Sequence, residues 1–131
     1  MTIADISEVV ESYFYSNWTQ TPIAWQNVPF NADAEEWVRF SHLPDTTQTE
    51  EIGEEAIGMR EGVVIIQVFT KAGTGSRTGA NLASQVEALF HLKDINGVKF
   101  KSAYSTNNGI DDTDNWFQHT VTCPYWTWVN E

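Results

Sequence analysis

The feature that most constrains the fold is an almost unbroken apolar run over residues 63–69, in which Gln67 is the one polar residue. The run is rich in β-branched side chains, and apolar residues occupy both its odd and its even positions. This pattern predicts a central strand that is buried on both faces. The chain must therefore form a sheet, and its other segments have to cover that sheet.

Two amphipathic helices are predicted to supply the cover. The first extends from about residue 3 to residue 18, with Thr2 and Asp5 placed as a capping box and Pro22 preventing its continuation. Its apolar residues recur at helical spacing: Ile6, Val9, Val10, Tyr13 and Phe14. A glycine-rich turn at residues 73–79 leads into the second helix. One apolar face of that helix consists of Leu82, Val86, Leu89 and Phe90.

Four further segments have the composition of strands. A short strand is predicted over residues 23–28, stopped by Pro29, and a second over residues 36–43. In the second strand Trp37 faces one side of the sheet, while Val38 and Phe40 face the other. Both faces of this strand are therefore expected to be covered.

The carboxyl-terminal third is predicted to add two more strands. Asn96 and Gly97 offer a tight turn before a half-buried strand over residues 98–104. A polar loop is expected at residues 106–114, followed by a long strand over residues 116–129. Pro124 interrupts this last strand, and its missing N–H places it at a sheet edge or a bulge.

These elements predict an α+β fold in the order α, β, β, loop, β, α, β, β. The expected sheet is mixed or antiparallel, has about four to six strands and carries two helices on one face. The chain has 131 residues and no repeat or linker, which favours a single domain over residues 1–131. Residues 44–61 are rich in Thr, Gln, Glu and Gly, and we expect either a long loop or a two-stranded excursion there.

The net charge of −11 excludes several classes of partner. A field of this sign repels nucleic acid and anionic membranes, so we expect no DNA reading and no membrane binding. The first residues lack the pattern of a signal peptide, and no segment has the composition of a membrane span, which favours synthesis and assembly in a cytoplasm. Cys123 is the single cysteine, so an internal disulfide is excluded.

Three motifs were tested for ligand chemistry. The glycine turn follows a strand and opens a helix, but its spacing fits neither a dinucleotide fingerprint nor a P-loop, and Lys99 stands near the place of a ribose-binding acid. The acidic groups lack the alternating ligand pattern of a calcium loop. Those groups are Glu50, Glu51, Glu54 and Glu55, and Asp111, Asp112 and Asp114. A flexible connection and solvated acidic loops are the preferred interpretations.

Nucleophilic and metal chemistry also lack a recognisable pattern. His42, His91 and His119 are scattered over different elements, with no metal-ligand spacing. His119 and Cys123 share a strand face, but about 13 Å of extended chain separates them. The aromatic last strand resembles a stacking platform for single-stranded nucleic acid, yet no Lys or Arg follows Lys101 to pair with phosphates. We therefore predict no enzyme activity and no cofactor.

Three segments occur together in an informative order: "TPIAWQNVPF" at residues 21–30, "EWVRF" at residues 36–40 and "GMREGVVIIQVFTKAGTG" at residues 58–75. With the helix that ends near Phe90, this order resembles the tail-terminator, or tail-completion, proteins of long-tailed, non-contractile bacteriophages. The resemblance implies an α+β subunit of a hexameric ring that ends tail-tube growth and presents a surface to the head. It also implies a virion protein without enzyme activity or cofactor, whose partners are the tail tube protein and a head-completion or connector protein.

The resemblance and the composition together suggest which residues make contacts. We predict that Trp37, Arg39 and Phe40 pack between subunits and that Arg60 forms an intersubunit ion pair. A place in the core of one subunit is the alternative for Trp37 and Phe40. The acidic residues predicted to contact the tube or line the channel, so that DNA passes without specific binding, are Glu50, Glu51, Glu54 and Glu55.

Three other functions remain open at this point. A head-completion or connector protein is closest, because it also forms a ring, on the portal side, and the sequence separates the two poorly. A small-ligand-binding or enzymatic α+β domain has support only in the glycine turn. A monomeric adaptor that binds a partner through its acidic loop is the third.

Overall fold

The structure, a computed structural model, describes residues 2–31, 34–49, 58–113 and 115–128. The elements it describes are two helices and seven strands. In chain order they are α1 (Ile3–Asn17), β1 (Ile23–Ala24), β2 (Glu36–Thr49), β3 (Gly58–Lys71), α2 (Arg77–Phe90), β4 (Asp94–Ile95), β5 (Val98–Phe100), β6 (Tyr104–Ile110) and β7 (Trp116–Trp128).

The strands form one mixed sheet in the order β1-β2-β3-β7-β5-β4, with β6 also paired to β7. β1 is parallel to β2, and the other pairings are antiparallel. β3 lies between β2 and β7, which confirms the central strand predicted at residues 63–69. The α+β class is also confirmed. The sheet has more strands than predicted because the two-residue β4 was not predicted and because much of the loop predicted at residues 106–114 belongs to β6.

Both helices pack on one face of the sheet and bury its main core. α1 contributes Ile6, Val10 and Phe14, and α2 contributes Leu82, Val86 and Phe90. The predicted capping box is present at the start of α1. The Asp5 N–H donates to Thr2 Oγ1 at 3.1 Å, and the Thr2 N–H donates to the Asp5 carboxylate at 2.9 Å. These reciprocal bonds satisfy two donors that would otherwise be unpaired at the helix end.

Of the two alternatives predicted for residues 44–61, the two-stranded excursion describes both ends of the segment. β2 continues to Thr49 and β3 begins at Gly58, with Thr47 paired to Arg60 and Thr49 to Gly58 after an irregularity that follows Pro44. Backbone hydrogen bonds hold a hairpin together whether or not its side chains are apolar. Composition alone therefore underestimated these strands.

Four other boundaries differ from the prediction. β1 ends at Ala24 and does not reach residue 28, because a turn begins at Gln26. The predicted strand over residues 98–104 is divided into β5 and the start of β6 by residues 101–103. The loop predicted at residues 106–114 is largely the edge strand β6, whose polar side chains face solvent. α2 begins at Arg77, inside the predicted glycine turn.

Pro124 does not interrupt β7 or lie at an edge, contrary to the prediction. It pairs with Val63 of β3, and on its other side the Lys101 N–H donates to the Pro124 carbonyl at 2.9 Å. The N and O of one strand residue point to the same side, so the missing N–H faces residues 101–103. The chain there passes from β5 to β6 and forms no ladder, and a proline is therefore tolerated inside the sheet.

A buried histidine joins α1 to the sheet. His42 of β2 places Nδ1 2.8 Å from the Ser7 hydroxyl and Nε2 2.6 Å from the Tyr125 hydroxyl. A neutral imidazole has one donor and one acceptor nitrogen, and both are used here. Burial lowers the pKa of His42 and raises that of Tyr125 to about 12, an increase that the nearby Arg60 charge opposes.

A second histidine fixes the distance between α2 and the sheet. A methyl group at Gly79 of α2 would lie 2.6 Å from Nδ1 and 2.8 Å from Cε1 of the buried His119 ring. His119 Nδ1 has no hydrogen-bond partner among the described residues. The helix approaches β7 this closely only because residue 79 has no side chain.

Replacing Gly79 with Ala tests this close approach. In an ordinary helix interior the change stabilises the fold by about 0.5–1 kcal/mol. Here we expect destabilisation by about 1–3 kcal/mol, because the new methyl group overlaps the His119 ring. Urea unfolding gives the free energy. In a His119→Ala background the same substitution should become neutral or stabilising, and a stabilising effect in the wild-type chain would contradict the prediction.

The two buried histidines predict a specific pH dependence. Burial lowers the pKa of both His42 and His119 from the ordinary value of 6.5. The unfolded chain therefore binds more protons, and the stabilisation present above pH 6.5 is lost as the pH falls through 6.5 toward the folded pKa values. We expect the free energy of unfolding to decrease from about pH 7.5 to about pH 5.

Single His42→Asn and His119→Asn variants should each reduce this slope, and the double variant should flatten it. NMR titration of the ring protons in the folded wild-type chain provides an independent measurement. Midpoints at or above 6.5 for both rings would contradict the assignment.

Candidate interaction surface

The face of the sheet opposite the helices, which we call the outer face, is the part of the molecule best suited to binding another protein. Alternation along the strands directs Trp37, Arg39 and Leu43 of β2 to this face, together with their paired residues on β3 and β7. Many of these side chains are half-buried, whereas the helix-facing positions Val64, Ile66 and Val68 are fully buried. The two faces therefore differ in how much of their surface remains accessible.

An aromatic cluster with two cations occupies one end of the outer face. Trp37 and Phe69 stack with ring centroids 4.0 Å apart, and Trp116 meets Trp37 edge to face at 5.8 Å. The Arg39 guanidinium lies 5.3 Å from the Trp37 ring, and the Lys71 ammonium lies 5.8 Å from the Trp116 ring. We call these five residues the cationic aromatic patch. Arg39 and Lys71 are exposed, so their charge is available to a partner.

A groove of about 750 Å³ borders the patch, between the segment at residues 25–30 and Trp37, Arg39 and Ser41. Trp37 is 5% exposed, and its indole N–H is buried without a hydrogen-bond partner among the described residues. An unpaired buried donor costs free energy. The groove therefore combines apolar and polar walls with a cation, Arg39, and the unsatisfied indole donor of Trp37.

The other end of the outer face is apolar but has its charges paired. Leu43 and Tyr104 are exposed there, and Val63, Pro124 and Trp126 are half-buried beside them. Lys101 lies 3.8 Å from the Glu61 carboxylate, and Lys99 lies 3.9 Å from that of Asp94. These ion pairs are largely solvated and contribute little to stability.

The structure separates the residues predicted to pack between subunits. Phe40 is 0% exposed and lies in the main core against Phe14, so the alternative of a core position within one subunit describes it. Trp37 is nearly buried in the patch, and Arg39 above it is exposed. Arg60 lies on the helix side of β3, near Tyr125, and not on the outer face.

The structure does not test the four acidic residues predicted to contact the tube or line the channel. Glu50, Glu51, Glu54 and Glu55 lie outside the described residues. Their contact with tube or channel remains a prediction from sequence.

The positions considered for chemistry form no catalytic arrangement in the described part of the chain. Cys123 is fully buried in the main core, where burial, with a smaller effect from Glu87, raises its pKa to about 12. The thiolate needed for nucleophilic attack is therefore scarce. No group of three His, Cys, Asp or Glu side chains within the described ranges is arranged to hold a metal ion. Gly73 and Gly75 have φ of 90° and 86°, so the glycines serve the backbone turn into α2.

Sequence reasoning missed three of the five patch residues, Phe69, Lys71 and Trp116. Lys71 and Trp116 are distant in sequence from Trp37, and only the pairing of β2, β3 and β7 brings them together. A signal for the patch was present in the sequence. Residues 37 and 39, and residues 69 and 71, are two positions apart and therefore share a strand face, with an aromatic residue followed by a cation in each pair. Without the strand register, these positions cannot be assigned to one face.

Comparison of folds gives several matches. Twelve chains of solved structures resemble this chain. One of them has a TM-score of 0.60 and 20% sequence identity, over 93% of this chain and 94% of its own length. Identity at this level supports the fold alone. No curated protein sequence matches the chain, and none of the described helices is long and apolar enough to span a membrane.

Comparison with protein families identifies the chain. The model of the phage tail terminator family, described as "Phage tail terminator protein", matches residues 5–125, a range that extends from α1 into β7. This family is structural and not enzymatic, and it belongs to the bacteriophage tail. The chain is therefore a member of the phage tail terminator family.

Proposed function

We propose that this chain caps the tail tube as a ring, ends polymerisation of the tube and provides the surface to which the head attaches. The single observation that carries the proposal is the family match over residues 5–125. We also propose that residues 1–131 form one domain and that the ring has six copies. The partners are then the tail tube protein on one side and a head-completion or connector protein on the other.

Termination of a polymer in this way requires geometry and no covalent chemistry. A ring subunit needs two unlike lateral surfaces that meet head to tail and close. One end of the ring binds the last tube ring, while the other end lacks the groups that would seat a further tube subunit. The contrast between the helix layer and the outer face supports this proposal, because it provides surfaces of different chemistry on one small body.

Particular residues are assigned to the ring on this basis. We place Arg39, with the rim of Trp37, in the contact between subunits, and we leave Phe40 in the core of each subunit. The intersubunit ion pair of Arg60 remains part of the proposal. DNA passes through the channel without specific binding, in keeping with the net charge of −11.

Electron microscopy of phage made without this protein tests the proposal. We expect tail tubes of abnormal length that fail to join heads, because nothing stops addition of tube subunits. Supplying the wild-type chain in trans should restore normal tails. Tails of normal length beside heads that leak DNA would instead assign the chain to the connector, and normal infectious particles would overturn both functions.

The acidic residues at positions 50, 51, 54 and 55 are proposed to repel DNA phosphates from the channel wall. Replacing all four Glu residues with Lys should slow DNA delivery, because phosphates would then bind the wall. The expected readout is a reduced rate of DNA ejection from particles with tails of normal length. A matched variant with Gln at the four positions should have a smaller effect, and unchanged ejection with Lys would contradict the role.

A further inference from the structure

The surface to be explained is the cationic aromatic patch, formed by Trp37, Arg39, Phe69, Lys71 and Trp116. The chain has seven Lys and Arg residues against eighteen Asp and Glu, so two exposed cations on one aromatic cluster are unusual for it. Within the part of the chain that the structure describes, no carboxylate lies within ion-pair distance of Arg39 or Lys71. Trp37 and Phe69 beneath them are only 5% and 4% exposed, so the half-buried Trp116 ring offers the accessible apolar area. The chemistry that fits is an acidic surface with an exposed aromatic group.

The same chain carries such a surface on α1. Its fifteen residues include Asp5, Glu8 and Glu11 but neither Lys nor Arg. Glu8, Glu11 and Tyr15 follow the i, i+3, i+7 spacing and therefore share one stripe of the helix, turned away from buried Ile6, Val10 and Phe14. Tyr15 is 69% exposed. We call Glu8, Glu11 and Tyr15 the acidic stripe.

The open edges of the sheet are poorly suited to association by strand pairing. Along β2 the N–H groups of Val38 and His42 point away from β3. They already donate to the Pro22 carbonyl at 3.1 Å and to the Gln26 side chain at 2.9 Å. Alternate residues of β2 direct their backbone groups away from β3, and the next one after His42 is Pro44, which has no N–H.

The opposite side of the sheet is similarly protected. β6 contains an irregularity between Asn107 and Gly109, and β4 is only two residues long. Satisfied donors, prolines, bulges and short strands are the features by which edge strands avoid pairing. Association through faces is therefore favoured over extension of the sheet.

We propose that the acidic stripe of one copy docks on the cationic aromatic patch of the next copy, so that copies associate head to tail. Glu8 and Glu11 pair with Arg39 and Lys71, and Tyr15 packs against the half-buried Trp116 ring. The stripe and the patch lie on opposite sides of the sheet, so each copy keeps one of each free after a single contact. Repeated contacts of this kind close a ring or extend a filament. The inference rests on the proposed ring function and specifies the contact within it.

Reciprocal charge reversal tests this contact. One variant carries Arg39→Glu with Lys71→Glu, and the other carries Glu8→Lys with Glu11→Lys. Each alone places like charges in the contact, and we expect self-association to weaken at least about tenfold. An equimolar mixture should associate again, because each variant then presents the surface that is complementary to the other. Sedimentation velocity over a range of concentrations measures the association.

Matched controls separate a specific contact from a change in net charge. Lys93→Glu with Arg77→Glu, and Asp112→Lys with Asp94→Lys, change the net charge by the same four units at exposed residues outside both surfaces and should leave association as in the wild-type chain. Circular dichroism establishes that every variant is folded. The inference is overturned if the mixture does not recover, if the controls weaken association equally, if the complex stops at two copies, or if the wild-type chain stays monomeric.

The outcome is separable from that of the proposed function. Recovery by the mixture together with normal tails in phage lacking the protein would uphold the contact and reject tail termination. Association that is insensitive to both reversals, together with tails of abnormal length, would reject the contact and uphold tail termination.

Discussion

The structure depends on β3 being paired on both sides along almost its whole length. β2 meets it from Glu36 to Thr49, and β7 meets it from Trp116 to Trp128. Val64, Ile66 and Val68 direct their side chains to the helices, and the intervening residues form the middle of the outer face. The helix core and the interaction surface therefore share one strand. Because its register fixes both, a slip by one residue would exchange the two faces.

The sequence predicts the two faces of this strand to different extents. On the helix side the apolar positions coincide with the spacing of α1 and α2, so the core could be predicted from periodicity alone. The opposite placement of Trp37 and Val38 was also predictable, because alternation along a strand requires it. The capping box depends only on Thr2 and Asp5, three positions apart, and could equally be predicted.

The parts that could not be predicted depend on backbone pairing or on distant residues. β6 has the sequence YSTNNGI, which reads as a loop because its side chains are polar, yet its backbone pairs with β7. The end of β2 near Thr49 and the start of β3 near Gly58 likewise have the composition of a loop but a paired backbone. Pro124 was misplaced because the sequence does not show where β5 gives way to β6. The candidate surface could be predicted only in part. Arg39 was singled out from the sequence, but Lys71 and Trp116 lie beside it only because β2, β3 and β7 are paired.

The buried polar groups add a constraint on how the helices are placed. Ser7, His42 and Tyr125 come from α1, β2 and β7, and each needs the others to satisfy its hydrogen bonds. Gly79 and His119 set the separation of α2 from the sheet in a similar way. Apolar packing tolerates small shifts, whereas buried hydrogen bonds lose most of their value when distances change. These contacts therefore give a small body a defined shape on both sides of its sheet.

The burial of Cys123 bears on how long such a protein lasts. With a thiol pKa of about 12, only about one molecule in a hundred thousand carries the thiolate at neutral pH. The main core also shields the sulfur from dissolved oxidants. The protein's one thiol is thereby protected from oxidation and from disulfide formation with a second copy.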